Sequence, residues 1–518
     1  MEASSYATVA VSLAIVVVGV LAWRALNWIW LRPKRFEKCL KHQGFKGNPY
    51  RLFFGDTRDR DRMLLEVRSK PMPQLSHDYL QRVLPFVHHT VNKYGKRSVI
   101  WNGPGPMVII SEPEEIRQVL MRMEEFQKPK ANPLILKVAT GVVMLEGEEW
   151  AHHRKLITPA FHMDKLKLML PAFSTSCHDM IKKWEEVISN AGSCEVDVWS
   201  YLHQLSADVI SRAAFGSSYE EGRRIFELIS EQLFIAIPAL NAVYIPGWRF
   251  VPTKVNRKIM QIDREIRTLL NGIIQKRKKA INKGEKARDD LLGILLQSNV
   301  QENHNEHVKN HGLSIEEVIN ECKIFYLAGQ ETTSVVLTWT LILLGKYQDW
   351  QARAREEVLA MFGKSNPNFH GLNRLKIVNM ILQEVLRLYP PAAELTRIVH
   401  KDSKIGDIFL PAGVMVNLPI LLVQQDEKLW GADAKEFNPE RFNEGISKAT
   451  GGNMSFFSFG WGPRICIGSN FAMLEARMAL ILILQRFSFG LSPSYAHAPS
   501  GLGTLRPQFG APIILHRL

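Results

Sequence analysis

Cys466 stands in the run Phe459-Gly460-Trp461-Gly462-Pro463-Arg464-Ile465-Cys466-Ile467-Gly468. Together these residue types suit the holding of a single thiolate against a flat cofactor that carries acid groups. Gly462 and Gly468 let backbone approach such a ring with no Cβ in the way. Arg464 offers a fixed cation to a carboxylate. The apolar helical pattern from Phe471 puts the sulfur near a helix start, where free N–H groups favour the anion. A cysteine among apolar neighbours is ordinarily a small core residue; only the whole run argues otherwise.

Three further groupings have spacings that could serve the same site. Ala328-Gly329-Gln330-Glu331-Thr332-Thr333 lies inside an apolar stretch from Ile315 to Lys346. An acid beside an alcohol in such a helix is unfavourable unless it is satisfied or used. Gly329 costs about 1 kcal/mol against alanine there, and a hydroxyl bonding back to the preceding turn invites a kink. Glu384 and Arg387 stand at i, i+3 on one helix face. On a surface that pair contributes about 0.3–0.5 kcal/mol, but Met380, Ile381, Leu382, Leu386 and Leu388 around it point to burial. Trp150 and Arg154, at i, i+4, stack on one face of a helix.

The elements that must position these residues are mainly helical. The 3.6 period is clear over Asp208–Phe215, Val255–Lys279, Ile315–Lys346 and Trp350–Phe362. Short β-rich runs come early, at 98–101 and 107–110. One mostly helical domain with a small β region, 51–518, fits better than the several domains that 518 residues allow. The polar segment from Gly284 to His311 reads as a surface connection. Its His304, His307 and His311 form a poor metal site, because no cysteine completes it. Lys276-Arg277-Lys278-Lys279 reads as a solvated helix face.

Tyr6 to Trp23 is almost continuously apolar, and Trp28 and Trp30 follow Arg24. About 20 apolar residues span a bilayer, so 1–31 reads as an uncleaved anchor. Its positive charges come after it, not before as in a signal peptide. The basic cluster Arg32, Lys34, Arg35, Lys38 and Lys41 leaves the bulk of the chain on the cytosolic side. Residues 32–50, with Pro33, Gly44, Gly47 and Pro49, read as a hinge. The net charge of +14 suits an acidic partner or anionic surface. No zinc-finger, basic-zipper or RNP-type pattern supports nucleic acid. Five cysteines without a C-x-x-C argue against a disulfide scaffold.

Phe-x-x-Gly-x-Arg-x-Cys-x-Gly resembles the haem-binding signature of the cytochrome P-450 superfamily, and every defined position matches. The resemblance implies a P-450 fold, mainly α, behind one transmembrane helix. It implies haem b, with Cys466 as the axial iron ligand and Phe459 and Gly468 in the cofactor loop. Ala328–Thr333 resembles the oxygen-activation motif, in which Thr332 would hydrogen-bond dioxygen and Glu331 would help deliver protons. Trp150, Arg154, Arg397 and Arg464 match residues that hold the haem propionates. Glu384, Arg387 and Arg441 match a structural clasp on the cysteine loop.

Leu31–Arg35, Gly44–Tyr50, Leu327–Thr333, Arg353–Val358 and Pro507–Gly510 resemble the plant seventy-two family of these enzymes. That implies a monooxygenase of the endoplasmic reticulum membrane, fed by NADPH through a separate reductase. Its substrate would be a terpenoid, a triterpenoid first, with an iridoid or gibberellin as alternatives. A P-450-fold isomerase or dehydratase, and a non-catalytic haem-binding protein, are the other readings. Substrate contacts are expected from Ala131–Val138, around Phe325, from Ala392–Leu395 and from Leu502–Leu505. Lys155 and Lys165 are expected to face the reductase.

Overall fold

In a computed structural model, residues 2–130, 132–188, 192–241, 251–283, 290–298, 312–501 and 503–518 are described. The connection expected over 284–311, with its three histidines, lies outside them except for residues 290–298, where Leu291–Gln297 is a short buried helix. The chain forms two compact units. One comprises Met1–Val67, Leu84–Pro129 and Leu395–Pro419; the other comprises Arg68–Val83, Lys130–Glu394 and Ile420–Leu518.

The first unit opens with α1 (Glu2–Leu26), a π-helical turn over Asn27–Leu31, and α2 (Arg32–His42). The run Ala10–His42 is long and apolar enough to cross a membrane, and none of its most apolar window is buried in protein. The hinge expected over 32–50 is therefore helix as far as His42, and the break falls at Gln43 and Gly44, with Gly44 at φ +82°. Pro33 does not end the helix because the turn before it has opened. A proline lacks the N–H that would bond the carbonyl four residues back, and its ring crowds that carbonyl. Here that carbonyl, of Ile29, accepts the Tyr50 phenol at 2.6 Å.

The same unit holds a six-stranded sheet. Its strands are β1 (Lys46–Gly47), β2 (Ser98–Asn102), β3 (Gly105–Ile109), β4 (Phe126–Gln127), β6 (Leu395–Val399) and β7 (Met415–Leu418), in the order β1-β2-β3-β7-β6-β4. β2 and β3 are the runs expected from sequence, pairing Val99 with Val108. β6 and β7, from far along the chain, complete the sheet.

The second unit carries the helices that build the site: α3 (Gly147–Ile157), α4 (Met163–Ile188), α5 (Val198–Phe215), α6 (Tyr219–Asn241), α7 (Lys254–Asn282), α8 (Ile315–Lys346), α9 (Gln348–Phe362), α10 (Ile377–Leu388) and α11 (Ser469–Arg486). A three-stranded antiparallel sheet, β8 (Phe487–Leu491), β9 (Pro512–Arg517) and β5 (Ser193–Asp197), closes it. α8 is the axis of this unit. A capping box starts it: Ser314 accepts the Glu317 N–H, and the Glu317 carboxylate accepts the Ser314 N–H at 2.7 Å. From Glu321 to Gly345 it is buried all round except at Leu327, Ala328, Gly329 and Thr332. An apolar helix surrounded by others has no solvent face, so those four residues form a strip that neighbouring side chains leave partly uncovered.

On α7, the basic run is only partly a solvated face. Lys276 pairs with Glu221, but Arg277 is mostly buried, bonding Asp290 and the Phe215 carbonyl.

Candidate active site

The cysteine loop is fastened from beneath by α10. Glu384 and Arg387, both fully buried, form a two-pronged pair at 2.7 Å on each prong. Arg387 also donates to the carbonyls of Gln424, Ala434 and Glu436, and Glu384 accepts the Asn438 N–H. Charges this deep persist only when paired and bonded throughout. Arg441 stands 3.8 Å from Glu384, pairs with the Asp433 carboxylate at 2.7 Å, and donates to the Trp430 and Asp433 carbonyls. Ser458 bonds the Leu386 carbonyl at 2.8 Å, and Gln424 ties the last turn of α10 to Phe457 and Ser458. The loop then closes on itself, Cys466 N–H to Phe459 carbonyl, 2.9 Å.

The thiol of Cys466 opens onto space just before α11. Burial pushes the thiol up from its ordinary value, and the Gly468 N–H and Arg154 offset only part of that. A metal cation against the sulfur would favour the thiolate.

Two arginines flank the loop. Arg154, on α3, donates to the Ile465 carbonyl at 3.0 Å. Arg464 lies over the Trp150 ring, 4.6 Å from its centre, bonds the Leu145 carbonyl and pairs with Glu146 at 2.6 Å. Burial lowers both guanidinium pKa values, and Arg154 further depresses Arg464. Arg464 Nε and Nη1 are buried with no bonding partner. Two neighbouring cations, one with idle buried donors, fit an acidic ligand.

Gly468 has an ordinary φ of −89°, and a Cβ there would meet only Phe161, at 4.0 Å. Neither backbone nor packing requires glycine at that position; a flat ring beside it would. Gly462, at φ +71°, is required by its own left-handed turn. The residues therefore fit a haem. Phe459 and Trp461 are half-buried in the same loop. Arg397 lies in the first unit, on β6, buried, with Nη1 on the Thr396 carbonyl.

On α8, Thr332 bonds back to the Ala328 carbonyl at 2.8 Å, as the sequence suggested. The helix nevertheless runs unbroken, and Gly329 has a different purpose: a Cβ there would come within 2.8 Å of Ile210 on α5. Glu331 turns away from the open strip. Its carboxylate takes a hydrogen bond from His203 at 3.1 Å and another from Thr504 at 3.2 Å. Burial disfavours its charge, but His203, Arg506 and Thr504 outweigh that and lower its pKa. Gln330 reaches the other nitrogen of His203 at 3.1 Å.

Sequence reading missed His203, and it missed His153. The latter lies between Trp150 and Arg154 and bonds the buried Glu321 of α8. A histidine inside an otherwise apolar i, i+3 pattern was the available signal. Of the expected substrate segments, Leu134, Ile135 and Val138 pack in a core cluster with Ala236 and Ile259. Phe325 stacks on Phe161, and Leu505 is fully buried. Ala392 is exposed. Ala131 and Leu502 lie outside the described residues.

A family model for cytochrome P450 matches residues 72–505. The chain belongs to the cytochrome P450 family, whose members bind haem b and act as monooxygenases with electrons from NADPH passed through a reductase. Within it the chain sits in the plant CYP72 group. It is 56% identical over 506 residues to Cytochrome P450 CYP72A219 of Panax ginseng, covering 98% of each chain. It is 53% identical over 524 residues, the whole of each chain, to an 11-oxo-beta-amyrin 30-oxidase of Glycyrrhiza uralensis. An 11-oxo-beta-amyrin 30-oxidase of Medicago truncatula is 51% identical over 515 residues, 99% of this chain and 98% of that one.

Proposed function

We propose that this monooxygenase oxidises a triterpenoid skeleton of the oleanane type. Full-length similarity to two 11-oxo-beta-amyrin 30-oxidases carries the reading. The residues would divide the work as follows. Cys466 ligates the iron; Trp150, Arg154 and Arg464 hold the propionates; Phe459 and Gly468 shape the floor. When bound, the haem activates dioxygen for insertion of one oxygen into a C–H bond. Thr332, on the open strip of α8, offers a hydroxyl to the distal side. Glu331 holds a proton-exchanging carboxylate one residue away, kept ionised by His203. Leu327 and Ala328 exclude water from that strip.

The anchor holds the enzyme in the endoplasmic reticulum membrane with the catalytic domain cytosolic. The reductase docks near Lys155, which is exposed, and Lys165, which is half-buried. Lys155→Glu with Lys165→Glu weakens reductase-driven turnover and spares peroxide-driven turnover; equal loss of both defeats that docking face.

The deciding experiment pairs two measurements on microsomes containing the protein and a plant reductase. The carbon monoxide difference spectrum of the reduced protein shows the strongly red-shifted Soret band of thiolate-ligated haem, and Cys466→Ala loses it. Incubation with β-amyrin and 11-oxo-β-amyrin then gives NADPH-dependent products one oxygen heavier. An intact band with no such product overturns the substrate; a folded, haem-loaded protein without the band overturns the ligand.

A further inference from the structure

Seven aromatic and imidazole side chains crowd the end of the second unit where α8 and α10 finish, and the reaction uses none of them. Four form a line. The Trp339 ring stacks on Tyr389, centroids 4.1 Å apart at 19°. The Tyr389 phenol lies 2.8 Å from His77 Nδ1, and His77 Nε2 lies 2.9 Å from the Tyr347 phenol. Tyr79, His497 and Tyr495 pack around the line: Tyr79 stacks on Tyr389, and His497 bonds Tyr495.

Trp339 and Tyr389 are wholly buried, His77 nearly so, while Tyr347 is half-buried beside exposed Lys346, Gln348 and Asp349. The line thus runs from interior to surface. Its inner end stands on α8, the helix that carries Thr332. Trp339 follows Thr332 by seven residues, the same helix face about 10 Å along the axis. Tyr389 follows Leu386 by three, and the Leu386 carbonyl holds Ser458 of the cysteine loop.

A core built only for packing would use phenylalanine or leucine here, since each buried hydroxyl must find a partner. Instead two phenols from distant parts of the chain meet one imidazole. Burial, with His497 and Arg387 nearby, pushes His77 down to about 3, so its ring is neutral. A neutral imidazole accepts at one nitrogen and donates at the other. It can therefore take a proton from one tyrosine while bonded to the second.

We propose that Trp339, Tyr389, His77 and Tyr347 form a hole-transfer line that drains unused oxidising equivalents from the haem to the surface, where a small thiol quenches them. The proposal rests on the family's haem and not on which substrate is oxidised. One electron leaves Tyr389 through Trp339 for the oxidised haem, and the phenolic proton moves to His77 Nδ1. Tyr347 returns an electron to Tyr389, His77 returns the proton, and Tyr347 releases its own proton to water. A thiol then restores Tyr347 with one electron and one proton. Two passes supply two electrons, and solvent supplies two protons, which together would reduce one oxygen atom to water. The two thiols leave as a disulfide, so the sum is one oxygen atom plus two thiols giving water and disulfide.

The test uses the haem-loaded full chain in lipid nanodiscs without substrate. It is mixed with a peracid, freeze-quenched and read by electron paramagnetic resonance, with ring-deuterated tyrosine to identify the radical. Haem bleaching by hydrogen peroxide, with and without glutathione, is followed in parallel. The wild type gives a tyrosyl signal, and glutathione slows its bleaching several-fold. Tyr389→Phe loses the signal, and Tyr347→Phe traps it on Tyr389; both bleach several-fold faster, with no protection by glutathione. Substrate-bound turnover with NADPH stays as in the wild type. Should Tyr389→Phe not load haem, Tyr347→Phe decides alone. Signals and bleaching unchanged by these substitutions, in proteins with an intact carbon monoxide band, overturn the proposal.

Discussion

His153 Nδ1 lies 2.6 Å from Glu321 Oε1, which joins the helix bearing Trp150 and Arg154 to the central helix α8. The same carboxylate oxygen accepts the Val142 N–H at 2.8 Å, and a Cβ on Gly141 would sit 2.7 Å from the other. One buried acid thus fixes both α3 and the turn leading into it. Trp150 and Arg154 on α3, proposed to hold the propionates, depend on it for their place.

Removing one member of such a pair leaves an unpaired buried charge, which destabilises by about 3–5 kcal/mol. His153→Ala is expected to lose that much in urea or thermal melts and to retain haem poorly. His153→Leu with Glu321→Met restores most of the loss, because neither charge remains. The pair also carries a pH signature. Burial opposes the imidazolium, but Glu321 and then Glu317 outweigh it and raise the pKa above 6.5. A raised value means the folded state binds the proton more tightly. The added stability is complete below pH 6.5 and is lost as pH rises through the folded value. Melts across pH should show wild type and His153→Ala converging on the alkaline side; a gap independent of pH would contradict the charged pair.

Glu331 has the opposite sign. Its pKa is lowered from 4.5, so its ionised contribution is complete above that value and lost as pH falls through the folded one. Glu331→Gln keeps the shape but removes proton exchange. Turnover should fall by about 10²-fold, the lower end for a positioned proton donor. NADPH should be consumed with little product, and the solvent deuterium effect on turnover should grow. Unchanged product per NADPH would take Glu331 out of proton delivery and leave it a structural acid.

Gly329→Ala separates packing from helix propensity. Alanine gains about 1 kcal/mol as a helix former, but its Cβ meets Ile210 at 2.8 Å. Overpacking of this kind costs about 1–3 kcal/mol, so the variant should be less stable. Ile210→Ala opens the space, and the double variant should recover part of the loss in a double-mutant cycle of chemical melts. Simple additivity would mean that the α5–α8 contact does not constrain this position.

The chemistry was more legible than the architecture. Cys466, the acid–alcohol pair and Glu384–Arg387 are local patterns whose spacing sequence displays directly. α8 was readable to the residue because its apolar run is long and its ends abrupt. β6 and β7 were not, since four or five extended residues become a strand only when a distant edge pairs them. His203 escaped for the same reason: its partner lies 128 residues away. The helix start beside Cys466 is visible in sequence, whereas the burial that opposes it is not.

Tyr50 tests whether the anchor is joined stiffly to the first unit. Its phenol donates to the Ile29 carbonyl at 2.6 Å and accepts the Phe53 N–H at 3.1 Å, and its ring packs between Trp30 and Trp101. Tyr50→Phe keeps the packing and deletes the hydroxyl. A single hydrogen bond is worth about 0.5–1.5 kcal/mol, so the unit still folds and the carbon monoxide band persists. What should change is the joint. The Ile29 carbonyl, bypassed by Pro33, loses its donor, and the π-helical turn over Asn27–Leu31 loosens. Spin labels at Leu26→Cys and Leu52→Cys in nanodiscs read this directly. The wild-type distance distribution should be narrow and the Tyr50→Phe distribution broad. Equal widths would mean that the turn, not the phenol, sets the angle at which the anchor leaves the domain.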